Sequence, residues 1–183
     1  MKQLFSLLLF VFLIETSTAQ FIDPATYPNP VKVACIGNSI TYGSGISDRP
    51  RDSYPSQLAR MLGEKWEVRN FGVSARTMLK KGDFPFWNEE VWQQAKAFLP
   101  DVVIIKLGTN DTKPQNWKFG NEFYYDYRAM VKELRALPSC PKIFVCKPVP
   151  AYASRWGIND SIVVHGIIPA VEKLAKDENL PII

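Results

Sequence analysis

From residue 31 onward, short apolar runs alternate with stretches in helical period, and no other feature restricts the fold as much. The run 31–36 is apolar except for Lys32 and reads as a buried strand. Tyr54, Leu58, Met61 and Leu62 follow at helical spacing, with Ser53 as the expected N-cap. A second strand is predicted over 66–71, a helix over 89–98, and a third strand over 102–107. Phe123, Tyr127, Met130, Leu134 and Leu137 mark one face of a long helix. A fourth strand is expected at 143–146. A helix follows over 161–177, with Pro169 a point of kinking or division, and a fifth strand begins at 180–183. Strands alternating with helices imply a parallel sheet covered on both faces, hence an α/β, flavodoxin-like three-layer α/β/α sandwich.

The N-terminus reads as a targeting segment. Lys2 supplies a positive start, 4–14 is almost wholly apolar, and Ser17-Thr18-Ala19 offers small residues for cleavage. The apolar run is shorter than the roughly 20 residues that a membrane span needs. Residues 1–19 are therefore expected to be a signal peptide cleaved near Ala19, leaving a secreted or periplasmic product with no stable membrane insertion. Residues 20–30 read as a linker, and 31–183 as one domain. A formal net charge of +4 with scattered basic residues gives no nucleic-acid footprint. Cys35, Cys140 and Cys146 are odd in number, which argues against a disulfide framework; Cys35 and Cys146 lie in apolar runs and read as core thiols. One histidine and three dispersed cysteines do not make a metal site, and no cofactor is expected.

In an open parallel sheet, ligands bind at the carboxyl ends of the strands. The first strand is followed by Gly37-Asn38-Ser39-Ile40-Thr41, the second by Gly72-Val73-Ser74, and the third by Gly108-Thr109-Asn110-Asp111. In a flavodoxin-like strand order, these three loops converge on one crevice. Ser39 offers a hydroxyl nucleophile, Gly72 a backbone N–H, and Asn110 a side-chain amide. Together they make an acyl-transfer arrangement. Each has a plainer role as well: Ser39 as a helix cap, Gly72 as a turn residue, Asn110 as a cap, Asp111 as a loop anchor. The conjunction at three successive strand ends favours chemistry. Position 41 is Thr, so this is not the Gly-x-Ser-x-Gly elbow, nor is it a phosphate loop.

These blocks resemble those of the SGNH/GDSL hydrolases. Gly37-Asn38-Ser39 is similar to the family's Gly-Asp-Ser block with Asn38 in place of Asp. Gly72 falls in the second block, and Gly108-Thr109-Asn110-Asp111 is similar to the third. The resemblance implies a Ser39 nucleophile with Gly72 and Asn110 in the oxyanion hole. It points toward secreted carbohydrate O-acetylesterases, sialate O-acetylesterase-like members included. Lysophospholipase or thioesterase activity is one alternative, and a catalytically inert glycan-binding fragment of the same fold is the other. A flavodoxin-like cofactor binder is less favoured, because no phosphate loop is present.

The family's general base comes from an Asp-x-x-His block after the fifth strand, and no such block occurs in this sequence. The one histidine, His165, sits in a helical stretch before that strand and is not assigned the role. The expectation is a truncated or natural short form with impaired turnover. Asn38, Tyr42, Asp111 and Trp117 are candidate substrate contacts. The partner is expected to be an acetylated glycan or another small ester, because Tyr42, Arg49, Arg51, Phe86, Trp87, Trp117 and Trp156 fall in loops or at element ends.

Overall fold

The computed structural model describes residues 22–152 and 155–183. The expected signal peptide lies outside them. Four strands form one parallel sheet: β1 (Val31–Gly37), β2 (Trp66–Gly72), β3 (Val102–Lys106) and β4 (Lys142–Val145), in the order β2-β1-β3-β4. This is the flavodoxin-like order expected from the sequence. Gly37 pairs with Gly72 on one side and Lys106 on the other, so the three loop-bearing strands end at the same level. Ile182 bridges Val145 in parallel, where the fifth strand was expected to start.

Strand periodicity divides the apolar side chains between two faces. Ala34, Ile36, Val103, Ile105, Ile143 and Val145 enter the larger core, together with side chains from helices Glu90–Ala97, Phe123–Arg135 and Ile168–Asp177. Trp92, Phe86, Phe123 and Tyr127 are fully buried there, each contributing roughly 1.5–3 kcal/mol by leaving water. The Tyr127 hydroxyl donates to the Ile105 carbonyl at 3.1 Å, which satisfies the one polar atom that this ring carries inward. The other face buries Val31, Val33, Cys35 and Val102 under helix Tyr54–Leu62 and the Tyr27 ring. Ile22 and Tyr27 pack here, so the end of the expected linker is docked on the sheet. Cys35 and Cys146 are buried free thiols, and burial pushes the Cys35 thiol up to about 12.

Local details differ from expectation for physical reasons. Ser53 sits at the N-cap of its helix, yet its hydroxyl pairs with the Ser56 hydroxyl at 2.9 Å instead of a backbone N–H. Met61 is 84% exposed and belongs to the outer face of that helix. The helix over 161–177 is divided: Asp160–Ile162 is α-helical, Val163–Ile167 is a π-helical turn, and Ile168–Asp177 is α-helical. Pro169 has no N–H for the carbonyl four residues earlier, and the ladder widens just before it.

Candidate active site

The position of Ser39 follows directly from how β1 ends. The chain leaves β1 at Gly37 and turns at once into helix Ser39–Tyr42, whose N-cap is Asn38. The Asn38 side chain accepts the Ile40 N–H at 3.1 Å. Asn38 is thus buried as a cap that holds Ser39 at the first turn, which revises its expected role as a substrate contact. Position 37 tolerates only glycine: a Cβ there would sit 2.0 Å from Thr41 Oγ1 and 2.8 Å from the Lys106 carbonyl.

A cleft of about 570 Å³ opens over Ser39 at the carboxyl edge of the sheet, a size ordinary for small-molecule sites. Ser39, Ser74, Ala75, Thr109 and Asn110 line its floor, and the segment containing Val149, Ala151 and Trp156 borders it. Asn110 follows β3 at the head of a short 3-10 turn, Asn110–Thr112. Its Nδ2 donates to the Arg76 carbonyl at 3.1 Å, and its own carbonyl accepts from Asn116 Nδ2 at 2.9 Å. The first bond orients the side-chain amide, the second holds the backbone of the turn, and the amide keeps a second Nδ2 proton.

Gly72 does not take the role expected of it. Its N–H donates to Asn70 Oδ1 at 2.9 Å and so is already satisfied. It borders a separate small pocket with Tyr42, Arg49 and Asn70, away from Ser39. What Gly72 supplies is clearance, since a Cβ would lie 2.3 Å from the Tyr42 backbone nitrogen. The end of β2 therefore presses against helix Ser39–Tyr42, and Asn70 Nδ2 ties it there by donating to the Thr41 carbonyl at 2.8 Å.

Of the residues after β2, Ala75 lines the cleft beside Ser74 and has a free backbone donor. This residue holds φ 69°, a left-handed conformation that costs a non-glycine residue about 1–3 kcal/mol. Its N–H has no acceptor among the described residues. The turn is pinned from both sides. Arg76 donates to the Ser74 carbonyl at 2.9 Å and pairs with Glu89 at 2.7 Å, while the Ser74 and Ser44 hydroxyls meet at 2.6 Å. Sequence reasoning missed Ala75 because a backbone donor leaves no mark on side-chain type.

Three more expected substrate contacts fall elsewhere. Asp111 is fully buried, and its carboxylate accepts the N–H groups of Met78 and Leu79. Trp117 packs into the core layer against Phe123, 6.4 Å between ring centroids, and against Gly120 and Gly166. The Tyr42 ring lies 3.9 Å under the Arg49 guanidinium, outside the cleft. Phe86 and Trp87 are loop anchors: Phe86 is buried, and Trp87 Nε1 donates to the Met78 carbonyl at 2.8 Å. His165 is exposed on the π-helical turn and does not line the cleft. Among the described residues, no histidine and no carboxylate lines it.

The model of the GDSL-like Lipase/Acylhydrolase family matches residues 35–183. The chain belongs to that family. An acetylxylan esterase from Xylanibacter ruminicola is 49% identical over 177 residues, which covers 87% of this GDSL-like chain; the chain spans 37% of that relative's length. Among solved structures, a carbohydrate acetylesterase from Sinorhizobium meliloti superposes with TM-score 0.68 at 21% identity, covering 84% of this chain and 83% of that one. An inhibitor-bound M. smegmatis aryl esterase gives TM-score 0.68 at 22% identity, with the same coverage. These structural neighbours share the fold of the GDSL-like chain.

Proposed function

We propose that this chain carries the nucleophile and oxyanion donors of a serine ester hydrolase that removes O-acetyl groups from carbohydrates. One observation carries the reading: Ser39, Ala75 and Asn110, which can supply a hydroxyl, a backbone N–H and an amide, line one cleft. The Ser39 oxygen attacks the acetyl carbonyl, the sugar hydroxyl leaves with a proton, and an acetyl-serine forms. Water then releases acetate and restores the hydroxyl. The two N–H donors hold the negative charge that develops on the carbonyl oxygen, each worth about 10²–10³ in rate.

The name of the 49%-identical relative favours acetylated xylan as the glycan. Acetylated sialic acid, to which the sequence resemblance also pointed, is the second glycan to assay. The apolar segment 4–14 favours export, which suits a polymeric substrate. The test is reaction with a fluorophosphonate probe, followed by measurement of acetate released from acetylated xylan. Probe labelling that is lost in Ser39→Ala supports the reading; labelling indifferent to that substitution sinks it.

A further inference from the structure

The cleft over Ser39 has an uneven charge. Two of its lining side chains are ionic, Lys113 and Arg155, both cationic. Lys113 is 9% exposed and pairs with no carboxylate among the described residues. The acid that feels its charge, Asp83, is taken instead by Gln115 at 3.0 Å and Asn116 at 2.9 Å, and Asp83 does not line the cleft. Lys113 therefore brings to the cleft a positive charge that no carboxylate lining it offsets.

The opposite wall is built to hold still. The Asn159 N–H donates to Thr112 Oγ1 at 3.1 Å, and the Ala151 N–H donates to the Asp160 carboxylate at 2.7 Å. Gly157 lies against Lys113, since a Cβ on it would be 3.9 Å from Lys113 Cγ. Between these anchors, Trp156 is held at φ 56° with its side chain 80% exposed at the cleft. An indole displayed to solvent on a strained backbone is unfavourable for folding alone. Beside two cations, it offers an apolar face to a sugar ring.

We infer that Lys113, Arg155 and Trp156 form a subsite for a carboxylate-bearing sugar, so that the ester lies on an acidic glycan rather than a neutral one. The inference rests on the proposed function only for what happens at Ser39. The carboxylate sits between the two cations, and the sugar ring stacks on the indole. Lys113 is the less exposed of the two, so it sets the preference; Arg155 is exposed and contributes less.

The experiment is calorimetric binding of unacetylated xylo-oligosaccharides to the full chain, with and without a glucuronic acid branch. The acidic oligosaccharide is expected to bind about tenfold tighter at low salt, the preference shrinking as ionic strength rises. Lys113→Met brings the acidic ligand down to the neutral one, Lys113→Arg retains the preference, and the surface variant Arg155→Gln reduces it in part. Trp156→Ala weakens both ligands together. Equal affinity for the two oligosaccharides, or no binding of either, overturns the inference. So does binding to phosphatidylglycerol vesicles with none to sugar. Fluorophosphonate labelling of Ser39 is read separately, so failure of the subsite and failure of the esterase reading are distinguishable.

Discussion

The Asp111 carboxylate accepts the Leu79 backbone N–H at 2.7 Å, and with its other oxygen the Met78 N–H at 3.1 Å. It thereby clamps the segment after β2 to the loop after β3. The two loops that carry Ala75 and Asn110 are held in register by a group that does not line the cleft.

Replacing Asp111 tests this clamp and its titration. Asp111→Asn turns one acceptor oxygen into an N–H₂ facing an N–H, and is expected to cost about 1–3 kcal/mol of stability. Burial raises the Asp111 carboxyl from 3.8 to about 7, although the Leu79 and Met78 N–H groups favour ionisation. The folded chain therefore holds a proton that the unfolded chain releases. The stability tied to this group is full below about 3.8 and is lost as pH rises through about 7. Urea unfolding of wild type and Asp111→Asn across that window checks it. The variant lacks this downward slope.

Ala75 and Gly72 separate into donor and spacer. Ala75→Gly keeps the N–H and relieves a left-handed residue, so ester turnover is retained and stability rises by up to about 1 kcal/mol. Gly72→Ala drives a methyl into the Tyr42 backbone and is expected to cost about 1–3 kcal/mol, and with it the position of Ser39. Thermal melts paired with aryl acetate turnover distinguish the two. A Gly72→Ala variant that melts with the wild type would overturn the spacer role.

Asn110→Ala removes the amide donor while leaving the cleft floor in place. Turnover is expected to fall about 10²–10³-fold with a small change in KM, the pattern of a contact made in the transition state. Asn110 also donates to the Arg76 carbonyl, so a circular dichroism melt accompanies the kinetics.

His165 is exposed and apart from the cleft, so His165→Ala changes turnover by less than about twofold. No group lining the cleft among the described residues can take the Ser39 proton. The 183-residue chain is then expected to retain only the residual acceleration of about 10³–10⁴ over water given by binding and the oxyanion donors. Added imidazole, a base small enough to enter the cleft, raises aryl acetate turnover in proportion to its concentration. Brisk turnover that His165→Ala abolishes would reassign the base.

The sequence by itself determined the sheet, its neighbours and the place of Ser39 and Asn110. Strand and helix periodicities are local properties of apolar spacing, and in a parallel sheet they prescribe which end carries chemistry. Tertiary structure decided what those signals do not reach. Gly72 and Ala75 lie three residues apart, and only the packing of Asn70 shows which N–H is already satisfied. Asp111 and Trp117 carry the residue types of a binding site, yet their partners lie 32 residues back at Leu79 and in the facing Phe123 ring. Lys113 and Arg155 are separated in sequence and come to line one cleft only in the folded chain. A backbone donor has no side-chain signature, and a buried charge is defined by what surrounds it; both follow from the folded chain.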